Sequence, residues 1–328
     1  MKKFETISNY RVYFGSAENL EELKDGEVSL VVSSPPYYNA PFDYPGLFGS
    51  YEEYLDLLRS LAFQLKKKVA PGRIVALVTD DMLVKGEKFP IVADTTRIFV
   101  DAGFRYRERI TWLKPKGYVR ISKRSGVLLQ HPYPMYYYPD NIQESILIFQ
   151  NGIYKYKDRK EMSSKALKRS EIDVIDYNKG DLYLNTWNIT NVLPQKGRLE
   201  EGIAAFPDEI AKRLIMLYSY HGETVLDPFL GSGTTMKVAA EMGRKAVGYE
   251  IDLELKDVIK KKMKLAKTIS DYDDPKFIIR KDARKLRTDL NKKVNLQKNI
   301  VKLSDFLLSI FLYVVPPILT TSLLFCNE

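Results

Sequence analysis

Thr224-Val225-Leu226-Asp227-Pro228-Phe229-Leu230-Gly231-Ser232-Gly233-Thr234-Thr235 runs from an apolar strand through a glycine turn into the start of a helix. The helix carries on through Met236, Val238, Ala239 and Met242 and stops at Gly243, a good helix-ending glycine. Arg244 to Tyr249 reads as the next strand, with Glu250 at its tip. The glycines let backbone approach a ligand, and an acid at the following strand tip suits ribose hydroxyls. From Gly233 to Glu250 the spacing is close to the roughly 20 residues of a nucleotide-binding βαβ unit. The turn is not Gly-x-Gly-x-x-Gly and has no P-loop lysine. A nucleoside without a pyrophosphate therefore fits better than NAD or ATP.

Far upstream, the apolar strand Val28 to Val32 runs into Ser33-Ser34-Pro35-Pro36-Tyr37. Two adjacent prolines fix φ and remove two donors, so the carbonyls around them cannot all join a ladder. Stiff acceptors with a hydroxyl before them and an aromatic ring after them suit a planar donor such as a nucleobase amino group. Alone, the segment reads equally well as a proline-stiffened turn with a core tyrosine. The downstream unit breaks the tie.

Ser34-Pro35-Pro36-Tyr37 together with Asp227-Pro228-Phe229-x-Gly231-x-Gly233 resembles the amino-methylating DNA methyltransferases that use S-adenosylmethionine (AdoMet). The tetrapeptide precedes the glycine turn, as in their circularly permuted beta group, and the resemblance covers most of residues 10–285. It implies an α/β, Rossmann-like fold with a mostly parallel seven-stranded sheet and a small target-recognition insertion. It also implies AdoMet as cofactor, double-stranded DNA as partner, and a flipped target base. Ser34 Oγ and the Pro35 carbonyl would accept from the amino group, Pro36 would stiffen the turn and Tyr37 would stack on the base. Asp227 and Glu250 would hold the cofactor's amino-acid and ribose ends, with Phe229, Gly231, Ser232, Gly233 and Thr234 forming the turn beneath it. Phe206-Pro207, opening a helix with Asp208 and Glu209 near its positive end, would lie against the methionine part. A simple capped helix explains Pro207 equally well, and Gly202-Ile203-Ala204 stands where the family often has a histidine.

Ser34 rather than an acid leans the target to cytosine N4, in a restriction-modification enzyme with a cognate endonuclease on the same site. Adenine N6 is the alternative, and a silent DNA-binding protein on the same scaffold is the reading from another class. At the first strand, Tyr10 to Phe14, the family's Gly-Asp is replaced by Gly15-Ser16. A later strand, Phe277 to Arg280, ends at Asp282 and is the other candidate for the adenine-contacting acid. Only one of the two is expected to fill that place in the sheet.

The 328 residues give ample length for a large core, and 51 basic against 42 acidic residues leave +9, which favours a polyanionic partner. One cysteine, Cys326, excludes a disulfide framework, and with only His131 and His221 no metal site is expected. Met1-Lys2-Lys3 leads into a polar segment rather than a signal peptide, so the expected location is the cytoplasm.

Lys114 to Tyr138 is a basic loop without acids, rich in tyrosines at its end; Lys116, Arg120, Lys123 and Arg124 are the candidate DNA contacts. A solvated basic loop beside an aromatic cluster is the plainer reading. Residues 1–150 are expected to form the catalytic half, 151–200 the target-recognition region and 201–290 the AdoMet half. Tyr38 to Ser50 reads as a lid near the target base, and Asp80-Asp81 as either a ligand contact or the start of a solvated loop. Residues 291–328 read as an apolar appendage. Phe306 to Phe325 is about as long as a membrane span, but Pro316-Pro317 in its middle argues against stable membrane association.

Overall fold

Strand after strand alternates large apolar side chains between two faces, and in the computed structural model those faces bury both sides of one sheet. The structure describes residues 8–40, 46–115, 133–135, 139, 141–155, 159, 162–190, 206–266, 273–290 and 292. Its strands are β1 (Tyr10–Phe14), β2 (Val28–Ser33), β3 (Val69–Thr79), β4 (Met82–Val84), β5 (Glu87–Phe89) and β6 (Arg105–Leu113). There follow β7 (Gln143–Gln150), β8 (Thr186–Asn188), β9 (Thr224–Asp227), β10 (Lys245–Glu250) and β11 (Lys276–Ile279). The helices are α1 (Tyr51–Lys68), α2 (Ile91–Asp101), α3 (Ser164–Arg169), α4 (Val174–Lys179), α5 (Asp208–Tyr218), α6 (Thr234–Glu241) and α7 (Lys256–Leu265).

Along β3, Ile74, Ala76 and Val78 face one helical layer while Val75 and Leu77 face the other. The first layer is α5, α6 and α7, through Ile210, Leu214, Met236 and Ile259; the second is α1 and α2, through Leu61, Leu65 and Phe99. Each fully buried large side chain contributes about 1.5–3 kcal/mol, so this double alternation drives the three-layer α/β/α arrangement.

The main sheet has nine strands among the described residues, in the order β11-β1-β10-β9-β2-β3-β7-β6-β8, rather than the expected seven. Within this sheet only the β3–β7 and β6–β7 pairs are antiparallel among the described residues. The two outermost strands are short, four residues in β11 and three in β8, and lie at the two edges. Trp187, 1% exposed, anchors β8, and the Trp112 indole nitrogen donates to the Ile189 carbonyl at 2.7 Å.

The expected rivalry between Ser16 and Asp282 does not arise. β11 pairs beside β1 in parallel, so both tips lie together, and Asp282 Oδ2 accepts from the Ser16 N–H at 2.8 Å.

The first parallel unit, β9-α6-β10, winds away from β2, and β2-α1-β3 winds the other way. β9 and β2 are parallel neighbours, but strands are added in opposite directions from them, and in open α/β sheets the crevice beyond such strand ends is where ligands bind. The chain divides into units Met1–Lys285 and Leu286–Glu328. Of the second, residues 286–290 are helical and 292 is described; the apolar stretch 306–325 lies outside the described residues. No helix among the described residues is long and apolar enough to cross a membrane.

Candidate active site

At the switch point, β9 ends in Asp227 and β2 ends in Ser33, whose hydroxyl donates to Asp227 Oδ1 at 2.6 Å. Asp227 is 2% exposed and also accepts from the Phe229 N–H at 3.1 Å. Burial is the largest influence on its carboxyl and pushes it up to about 6, against the opposing hydroxyls of Ser33 and Thr235 and the Phe229 N–H. This acid therefore ties the Ser-Pro-Pro-Tyr strand tip to the glycine turn. Thr235 Oγ1 adds a second stitch, donating to the Val32 carbonyl at 3.2 Å.

The turn itself needs its glycines. Gly231 and Gly233 sit at φ +54° and +91°, in the left-handed region that favours glycine. The Gly231 N–H donates to Glu250 Oε2 at 2.8 Å, and Glu250 Oε1 accepts from the Asp252 N–H at 2.9 Å. The tip of β10 thus braces the turn that it faces. Below, Leu230 packs on Gly248 so closely that a Cβ there would meet Leu230 Cδ2 at 2.6 Å. Around a Cβ on Gly231, by contrast, the nearest described atom beyond the adjoining residues is Phe229 O at 3.9 Å, and the space beside the turn is open. Half-buried Phe206 and buried Pro207 precede α5, whose Asp208 pairs with Lys237 of α6. Phe206 packs against the core cluster that also holds Met236 and Val238 of α6.

On the other side of the switch, β2 leads into half-buried Ser34, buried Pro35, half-buried Pro36 and half-buried Tyr37. The Tyr37 phenol donates to Glu144 Oε2, and Glu144 Oε1 is paired with Lys114. The phenol is held well above its ordinary pKa, first by burial and then by the charge of Glu144 and its hydrogen bond; the Ser34 hydroxyl opposes this. Asp80, just past β3, accepts from the Asn141 amide. Its carboxyl is raised to about 7, chiefly by burial, with Glu144 and Asp81 adding to it and Lys88 opposing. Asp81 instead caps α2, accepting from the Val92 N–H at 3.0 Å. Of the two acids left open by the sequence, Asp80 belongs to the strand tips and Asp81 to a helix end.

Ser33, Lys114, Asn141 and Glu144 were not singled out as site residues from sequence. Glu144 opens β7 as a polar residue before an apolar run, and only the antiparallel pairing of β7 with β3 brings it to the same sheet edge. Glu144→Ala would leave the Lys114 ammonium and the Tyr37 phenol without this partner. Lys114 is only 18% exposed in its side chain. The variant is expected to lose about 2 kcal/mol of stability, measured as a shift in urea midpoint at unchanged slope.

The expected lid is described only at its ends. Asn39 clasps them: its amide donates to the Phe48 carbonyl at 2.8 Å and its oxygen accepts from the Phe48 N–H at 3.0 Å. Tyr38 packs with Phe48, Tyr51, Tyr54 and Phe89 in an aromatic cluster rather than over the strand tips. Residues 41–45, Gly202-Ile203-Ala204 and the candidate DNA contacts Lys116, Arg120, Lys123 and Arg124 lie outside the described residues. Among the described residues no cluster of His, Cys, Asp and Glu could hold a metal ion.

The chain resembles known proteins over most of its length. A family model described as DNA methylase matches residues 28–261, which contain both the Ser34–Tyr37 and the Asp227–Glu250 segments. Over 280 residues the chain is 31% identical to the type II methyltransferase M.MthZI of Methanothermobacter thermautotrophicus, covering 78% of this chain and 77% of that protein. It is 29% identical over 297 residues to the type II methyltransferase M.MjaI of Methanocaldococcus jannaschii, covering 80% and 94%. Among solved structures, TTHA0409 of Thermus thermophilus matches with a TM-score of 0.64 at 25% identity, covering 82% of this chain and 99% of that one. The same protein has been crystallised with S-adenosyl-L-methionine, and that form matches at 0.63 and 24%. The family match spans well over half of the chain, and the chain belongs to the DNA methylase family.

Proposed function

We propose that this chain is a site-specific, type II DNA methyltransferase that moves a methyl group from S-adenosyl-L-methionine to the N4 amino group of a flipped cytosine. In this reading it acts in the cytoplasm on double-stranded DNA, and its partner is an endonuclease that cuts the same site. One observation carries the reading: the buried Ser33–Asp227 bond sets the Ser34–Tyr37 tip beside the open glycine turn at the topological switch.

The turn fits a nucleoside cofactor. Gly231 leaves open space beside backbone, and Glu250 stands at its rim with both oxygens on backbone N–H groups; Phe206 and Pro207 are the residues we assign to the methionine part. Bound there, S-adenosyl-L-methionine supplies an electrophilic sulfonium methyl, whose S–C bond breaks as the N–C bond forms. The amino group's lone pair is delocalised into the ring and attacks poorly. Ser34 Oγ and the Pro35 carbonyl accept from its protons, drawing the nitrogen towards tetrahedral geometry and stabilising the positive charge that develops on it. Tyr37, steadied by Glu144, stacks on the base and offsets part of the few kcal/mol of unstacking.

The methylated nitrogen must then shed a proton, and Asp80, held near neutrality at the neighbouring tip, takes it. Such a cationic amine is acidic enough for water to help, so Asp80→Asn should slow single turnover by only about tenfold. The parent's rate should rise as pH passes through about 7, where Asp80 becomes ionised, and the variant should lack that limb. A variant that keeps it would shift the proton acceptor elsewhere. Incubation of the protein with DNA and labelled S-adenosyl-L-methionine, followed by mass spectrometry of the nucleosides, tests the whole reading. N4-methylcytosine supports it, N6-methyladenine moves the target base, and cofactor binding without any product leaves a silent DNA-binding protein.

A further inference from the structure

α7 is strongly basic, with Lys256, Lys260, Lys261 and Lys264 beside Lys262. Lys262 differs from an ordinary surface lysine in being 6% exposed. Its ammonium donates to Ser232 Oγ at 2.9 Å and to Thr234 Oγ1 at 2.6 Å, two hydroxyls that flank Gly233 in the glycine turn. Ile259, one helical turn earlier on α7, meets the same place: a Cβ on Gly233 would lie 3.5 Å from Ile259 Cγ2. One face of α7 thus presses a methyl group and an ammonium against the underside of the turn.

A lysine Nζ at this depth is tolerated only where good acceptors meet it. Ser232 and Thr234 are themselves 2% and 4% exposed. Serine and threonine hydroxyls without a fixed partner compete for nearby backbone groups and pull turns out of shape. By donating to both oxygens, Lys262 ties down the two side chains on either side of Gly233 from one point.

We propose that Lys262 is a positioning residue for the cofactor turn. It holds Ser232 and Thr234 so that the backbone of Gly231 to Thr234 is already in its binding conformation before S-adenosyl-L-methionine arrives. The turn has no lysine of its own in sequence; one from 30 residues downstream occupies its underside. The inference rests on the reading of this turn as the cofactor site.

The test is calorimetric titration of the full chain with S-adenosyl-L-methionine, and separately with its decarboxylated form. Lys262→Met keeps the apolar stem and removes the ammonium. Its dissociation constant should rise about 10- to 100-fold, the range for losing one or two charge-assisted hydrogen bonds, and by the same factor for both compounds. Lys262→Gln, which is shorter but still a donor, should lose less. If the methionine variant does not fold, the glutamine variant carries the test: a loss of about threefold or more supports the proposal, and unchanged affinity overturns it. An unchanged constant in a folded methionine variant also overturns it. So does a loss confined to the carboxylated compound, which would make Lys262 a direct charge contact. Failure of the parent itself to bind either compound would instead refute the cofactor site.

Discussion

Ser34→Ala is expected to lower single-turnover methylation by about 10²-fold while leaving the affinities for DNA and S-adenosyl-L-methionine nearly unchanged. The substitution removes one acceptor from the tip of β2. It leaves the buried Ser33–Asp227 bond, the two prolines and the Tyr37–Glu144 contact in place, so neither the sheet nor the glycine turn should shift. Losing one oxyanion-type contact costs about 10²–10³ in turnover. Ser34 accepts where an oxyanion hole donates, and the Pro35 carbonyl remains as a second acceptor, so the lower end applies. The loss falls on the chemical step because the hydrogen bond strengthens only as the nitrogen becomes tetrahedral and positive. Rapid-quench measurement on methyl-free DNA gives the rate directly. A value within a few-fold of the parent would mean that Ser34 only shapes the turn.

Gly231→Val should weaken S-adenosyl-L-methionine binding by about 10³-fold or more. Two effects add. At φ +54° a β-branched side chain is strained by roughly 1–2 kcal/mol, and relieving that strain moves the N–H that Glu250 holds. The new methyl groups also enter the open side of the turn, since beyond the adjoining residues the nearest described atom to the added Cβ is Phe229 O at 3.9 Å. That same openness is why the variant should still fold. Calorimetry on the variant, alongside Gly231→Ala as a smaller step in the same direction, checks both parts. Parent-like affinity in a folded valine variant would remove the cofactor from this turn.

Much of the fold was legible in the sequence because its signals are local and repetitive. Short apolar runs such as Ile74 to Val78 and Ile146 to Phe149 mark strands buried on both faces, and they appear as β3 and β7. Leu55, Leu58, Ala62 and Leu65 mark the buried stripe of α1. The glycine turn between β9 and α6 was readable because positive φ demands glycine at Gly231 and Gly233. Other features carry no such signal. A three-residue strand like β8 is too short to show a period, so that edge of the sheet was invisible, whereas β11 was readable at Phe277 to Arg280 and only its place beside β1 was not.

The convergence at the strand tips belongs to tertiary structure alone. Ser33 and Asp227 are 194 residues apart, and nothing in either neighbourhood announces that a serine will hold that acid. Asp80 read as one of two acids opening a loop until Asn141 and Glu144 arrived beside it on an antiparallel strand. Lys262 stands among Lys260, Lys261 and Lys264 in the sequence, and only its burial beneath the glycine turn sets it apart. Sequence by itself determined most of the strands and the glycine positions of the turn, where positive φ needs them. Strand order and direction decided which polar groups face one another, because hydrogen bonds between side chains depend on distances that only the packed sheet sets.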